Sequence, residues 1–136
     1  MNDEKIINEK TILVGIVQDK KTEYLISEYL DELELLANAA GAEVIGRVTQ
    51  KISKINPATY IGQGKAKQLI KQAKELNVKI IIFDQELSPA QIKNYHKLTN
   101  KIKILDRSGL ILDIFKKRAK TKESTTQVEL AYLEYL

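Results

Sequence analysis

Apolar residues along this chain fall into two kinds of run, short continuous blocks and longer stripes at helical spacing, and the two kinds alternate. Ile12–Val17 is apolar throughout apart from Gly15, too short for a helix and lacking the polar alternation of a strand open to water, so it predicts a central parallel strand. Ile80, Ile81, Ile82 and Phe83 predict a second. Between them, Ile26, Tyr29, Leu30, Leu33, Leu36, Ala37 and Ala40 mark a helix from Glu23 with acids on its outer side, and Gly41 stands where a left-handed C′ residue is wanted. Val44–Gln50 alternates more nearly and predicts an edge strand.

Asn56-Pro57 breaks the chain, after which Ala66, Leu69, Ile70, Ala73 and Leu76 form the stripe of a second helix that stops at Asn77. Ser88-Pro89-Ala90-Gln91 predicts a third helix, with Ser88 as N-cap, Pro89 at N1 and Gln91 closing a capping box, ending near Thr99-Asn100. Ile102, Ile104 and Leu105 predict a short second edge strand ending at Asp106. Leu110, Ile111, Ile114 and Phe115 make a helical face from Ser108, and after the polar stretch Thr121–Thr126 a last helix carries Val128, Ala131, Tyr132 and Tyr135.

Strands alternating with helices argue for right-handed crossovers and a parallel sheet covered on both faces. The two fully apolar strands belong in its middle and the two mixed ones at its edges. The fold expected is therefore α/β, an open parallel sheet of four strands in the order 2-1-3-4, over residues 1–107. Residues 108–136 then form a separate helical segment.

With 136 residues and 43% apolar content, the chain can bury a real core. It has no cysteine and one histidine, which excludes disulfides, thiolate metal sites and cysteine nucleophiles. The N-terminal residues lack an apolar signal-type region and no stretch reaches membrane-spanning length, so a soluble cytoplasmic protein, monomeric and without a membrane partner, is expected. The net charge of +4 conceals an asymmetry that points to a polyanionic partner: residues 1–50 carry 5 basic and 10 acidic groups, residues 51–100 carry 9 and 3, and residues 101–136 carry 8 and 5.

Four constellations could carry chemistry. Gly62-Gln63-Gly64-Lys65 suggests a phosphate loop opening a helix, yet it is no Walker A loop: Thr59 stands where the first glycine is required, and Ala66 has no hydroxyl for Mg²⁺. Gly62, Gly64 and Lys65 remain a weak nucleotide site or a packing turn. Asp19, Asp84 and Asp106 sit at strand ends, where open parallel sheets bind ligands, but such residues also serve as turns and caps, and Gln18-Asp19 lacks the paired acids of a receiver-type Mg²⁺ site. His96 on an amphipathic helix, with no nucleophile motif in view, reads as a surface residue. In the basic run Lys116, Lys117, Arg118, Lys120 and Lys122, positions 116, 117 and 120 share one side of a helix, expected to point away from Ile114 and Phe115. That run is the candidate RNA-contacting patch, against the alternative of a solvated face.

Tyr60–Lys65, Phe83–Gln91, Asp106–Phe115 and Gln127–Ala131 together resemble, in order and spacing, the N-terminal domain of the HflX-type GTPases. Tyr95-His96 and Glu123–Thr126 depart from that family's pattern. The resemblance covers almost the whole chain and implies a translation-associated GTPase that binds the large ribosomal subunit and, in several members, separates stalled ribosomes under stress. It further implies that GTP and Mg²⁺ belong to a G domain lying beyond this sequence, after a helical hairpin whose first helix holds Gln127–Leu136. This chain is then no enzyme, needs no cofactor of its own, and has ribosomal RNA and its own G domain as partners. Two readings stay open: a ribosome-binding regulatory module, or a nucleotide (ATP)-binding α/β domain that uses the Gly62–Lys65 turn.

Overall fold

The computed structural model describes residues 8–121, and side chains as far as Lys117. Its elements are β1 (Lys10–Val17), α1 (Lys20–Ala39), β2 (Glu43–Lys51), α2 (Gln63–Glu75), β3 (Ile80–Phe83), α3 (Pro89–Leu98), β4 (Lys103–Leu105) and α4 (Arg107–Thr121). The strands form one parallel sheet in the order β2-β1-β3-β4, as the distribution of apolar runs requires. The helix expected over Val128–Tyr135 lies outside the described residues.

Alternation along the strands divides the core into two layers. Ile12, Val14, Ile16, Ile81 and Phe83 face α2 and α3, where they meet Leu69, Ile70, Ala73 and Tyr95. Leu13, Ile80 and Ile82 face α1 and α4, against Leu30, Leu33, Ala37 and Leu110. Gly15 lies on the α1 side, where a Cβ would stand 2.9 Å from Ile26 Cδ1 and 3.0 Å from Leu30 Cδ1. The missing side chain is what lets α1 lie so close to β1.

Helix ends are set by local chemistry. α1 begins at Lys20 rather than Glu23 because the Asp19 carboxylate accepts the Thr22 N–H at 2.7 Å, an N-cap that recruits one more turn. Asn77 stops α2 with φ 59°, and Gly41 follows α1 with φ 92°. Ser88 and Gln91 form the expected capping box of α3. α4 starts at Arg107, one residue before Ser108, because Asp106 caps it through the Gly109 N–H at 2.8 Å.

Gly15→Val should destabilise the chain by about 1–3 kcal/mol, since the added methyls must displace Ile26 and Leu30 in a filled layer. Urea unfolding checks this: the midpoint should fall while the m-value stays unchanged.

Candidate functional site

The carboxyl ends of the strands carry all three carboxylates singled out from the sequence, and each has structural work. The Thr22 N–H holds Asp19 below the usual carboxylate range, as expected of an N-cap. Asp84, at the end of β3, is buried, and its Oδ1 lies 2.7 Å from Arg107 Nη2. Arg107 also approaches the Tyr29 carbonyl at 3.5 Å and Glu32 Oε1 at 3.7 Å. Asp106 uses both oxygens, Oδ1 for the cap of α4 and Oδ2 for the Leu87 N–H at 3.0 Å. Among the described residues no group of three or more His, Asp or Glu is placed to hold a metal ion.

Gly62, Gly64 and Lys65 stand at the start of α2. Before them, residues 52–62 form a loop closed by an isolated Asn56–Tyr60 bridge. Tyr60 (φ 69°) and Gly62 (φ 67°) are both left-handed, which turns the chain sharply into the helix. α3 pins this loop: Gln91 donates to the Asn56 carbonyl, Asn94 to the Ala58 carbonyl, and the Tyr95 hydroxyl to the Thr59 carbonyl at 2.8 Å. Burial pushes the Tyr95 phenol up, and burial followed by the Asp84 charge pushes Tyr60 up, so neither serves as a base near neutral pH. The N-terminus of α2 has no side-chain cap, but the Lys65 ammonium is engaged, donating to the Lys51 carbonyl at 2.9 Å.

The basic run lies on α4. Lys116 is exposed, whereas Lys117 is half-buried and donates to the Ala40 carbonyl at the C-cap of α1. That departs from the expectation that Lys117 points outward: a helix C-terminus attracts a cation, and α4 packs against α1. Arg118 and Lys120 occupy the last turn of α4 beyond the described side chains, and Lys122 lies outside the described residues. His96 is exposed on α3, as expected of a surface residue.

Two features escaped the sequence. One is the partner of Asp84, since nothing local in Asp106-Arg107-Ser108 shows where the arginine reaches. The other is how charge divides between the faces of the sheet. α1, on one face, carries five acids and two lysines, beside α4 with five basic residues and one acid; α2 and α3, on the other, together carry six lysines and one acid.

These features define a class: an open, doubly covered parallel α/β domain whose signature segments build a scaffold. The profile of the GTP-binding GTPase N-terminal family matches residues 27–116, from within α1 to Lys116. The chain is 48% identical to the GTPase HflX of Flavobacterium psychrophilum over 100% of its own length and 33% of the relative's, and 38% identical to that of Escherichia coli K12, over 100% and 31%. Among solved structures it resembles a GTP-binding protein from the hyperthermophilic archaeon Sulfolobus solfataricus in complex with GDP, with TM-score 0.62 and 27% identity over 93% of this chain and 36% of that one. A second GDP complex, of SsGBP, gives TM-score 0.64 and 25% identity over 93% and 35%. The chain belongs to the GTP-binding GTPase N-terminal family and, within it, to the N-terminal domains of the HflX type. It spans about a third of the length of the curated relatives it matches.

Arg107→Ala should cost about 3 kcal/mol, because it leaves the Asp84 carboxylate buried without its partner. Asp84→Asn added to that variant should recover most of the loss. Thermal melts of the single and double variants check the pair, and additive losses would show that the two residues do not interact.

Proposed function

We propose that this chain is the ribosome-binding and regulatory domain of an HflX-type GTPase, contacting large-subunit RNA while a G domain elsewhere in the full-length protein binds GTP with Mg²⁺ and hydrolyses it. The observation that carries this reading is the match to HflX GTPases over the whole of this chain but only a third of their length. The chemistry agrees with it. Described carboxylates at the strand ends are engaged in caps and an ion pair, while exposed lysines gather on α2 and α3 and Lys116 is exposed on α4, where phosphates can reach them. Separation of stalled ribosomes under stress, in the cytoplasm, is the physiological task this reading assigns to the full-length protein.

The uncapped N-terminus of α2 favours a second reading, an ATP site at Gly62, Gly64 and Lys65. Against it, the Lys65 ammonium is engaged by the Lys51 carbonyl, and Ala66, where a phosphate loop places its Mg²⁺-binding Ser or Thr, has no hydroxyl. Calorimetry on the chain should show no tight binding of GTP or ATP, with or without Mg²⁺. Tight ATP binding abolished by Lys65→Ala would replace the first reading with the second.

Large ribosomal subunits should bind the chain with an affinity that falls steeply with salt. Lys116→Glu with Lys120→Glu should weaken binding and flatten the slope of log K against log salt by roughly 0.7–0.9 for each phosphate no longer neutralised. Lys117→Glu should in addition lower the melting temperature, because it removes the donor to the Ala40 carbonyl. Co-sedimentation across a salt series checks the first, and thermal melts the second. Unchanged sedimentation at every salt concentration would reduce the α4 run to a solvated face.

A further inference from the structure

A concentration of positive charge lies away from both α4 and the Gly62 turn. At the amino-terminal ends of β3 and β4, between the last turns of α2 and α3, a cleft of about 590 Å³ is lined by Lys74, Lys79, Lys97 and Lys101, with Asn77 and Asn100 between them. It opens at the far end of α2 from Lys65, about 14 Å away along the helix axis. All four lysines are exposed, no Asp or Glu lines the cleft, and none of the four has a carboxylate partner among the described residues. Some other cations are paired: Arg47 is held by Asp31 and Glu34, Lys51 by Glu23, and Lys103 by Asp113. Glu9 lines the adjoining groove beside Lys79 and Lys101 without pairing to either.

Balancing helix dipoles accounts for only part of this charge. The C-termini of α2 and α3 each present about half a negative charge. Two such ends need about one cation, and the four lysines leave a surplus of about three. A surplus held together costs self-repulsion, which a bound polyanion would relieve. Lys67, Lys71 and Lys74 recur at i, i+4 and i+7 along one exposed face of α2, extending the charge beyond the cleft by about 10 Å. Among the described residues His96 is the one aromatic ring lining the cleft, with no Phe or Tyr beside it, and lysines act on phosphate as point charges.

From these observations we propose that the α2–α3 cleft, centred on Lys74, Lys79, Lys97 and Lys101, is a second anion site that holds the phosphodiester backbone of RNA without reading its sequence. The inference rests on the RNA-directed function above but uses different residues from the α4 run. A track of lysines longer than the cleft selects an extended polyanion over a single small phosphate.

The test compares the parent chain with a variant carrying Lys74→Gln, Lys79→Gln, Lys97→Gln and Lys101→Gln. The four side chains are exposed, so a thermal melt like the parent's confirms an intact fold. Fluorescence anisotropy with a short single-stranded RNA over a salt series should show weaker binding and a slope of log K against log salt reduced by about 0.7 per phosphate released, close to 3 for all four lysines. Two RNAs of unrelated sequence should respond alike. An unchanged slope overturns the proposal. So does tripolyphosphate that binds by calorimetry, loses binding in the variant and leaves RNA affinity untouched, because the cleft is then a small-phosphate site. Failure of the parent to bind RNA also overturns it, while large-subunit binding that remains sensitive to Lys116→Glu and Lys120→Glu would leave the domain's proposed function standing.

Discussion

The ion pair between Asp84 and Arg107 fixes the carboxyl edge of the sheet. Asp84 ends a strand buried on both faces, and its side chain is 3% exposed, so its carboxylate is cut off from water and needs a polar partner close by. Arg107 supplies it at 2.7 Å from the first turn of α4, and the same guanidinium reaches toward Tyr29 and Glu32 on α1. One side chain therefore ties β3, α1 and α4 together. Asp106, next in the chain, completes the junction by capping α4 and accepting the Leu87 N–H that leads into α3. Such a pair is a weak source of net stability but a strong source of position, since every misplacement of α4 uncovers a buried charge.

That junction changes the meaning of the segments that make the sequence recognisable. Phe83–Gln91 contains the buried end of β3, the Leu87 donor and the capping box of α3, and Asp106–Phe115 contains the cap, the arginine and Leu110, which α4 buries against the sheet. Within that second segment a Cβ on Gly109 would lie 3.2 Å from Asp106 Oδ1 and 3.3 Å from Leu105 Cδ2, so the helix start packs closely on the cap. Tyr95 is wholly buried against Phe83 and hydrogen-bonded to the Thr59 carbonyl. The recognisable residues hold a scaffold. Chemistry is left to the charged surface and to whatever the domain is joined to.

Much of that scaffold was legible along the chain. The continuous apolar runs at Ile12–Val17 and Ile80–Phe83 put those strands in the middle of the sheet, and the mixed runs put β2 and β4 at its edges. Asn77, Gly41, Ser88 and Gln91 marked helix ends because the chemistry of a cap is local, confined to a few consecutive residues. Asp19 was visible as a strand-end carboxylate but also as a possible cap, and the Thr22 N–H decided between them. Lys117 was misjudged for the opposite reason. Its partner, the Ala40 carbonyl, is distant in sequence, and helical periodicity reports only which side of its own helix a residue occupies.

The sequence by itself determined the order and type of the elements, the strand order and the sites of capping, because periodicity and cap chemistry act over a few residues. It also determined that acids crowd the early part of the chain and lysines the rest. Only the tertiary structure decided that the acids of α1 and the lysines of α2 and α3 fall on opposite faces of one sheet, with the basic end of α4 on the α1 side. The crossovers send α1 to one side with α4 and send α2 and α3 to the other, which turns a difference along the chain into a difference across the molecule. Tertiary structure alone also brought Arg107 to Asp84 and set Lys74, Lys79, Lys97 and Lys101 around one cleft. Electrostatic interactions depend on distance through space, and no pattern along the chain encodes that distance until the sheet has closed it.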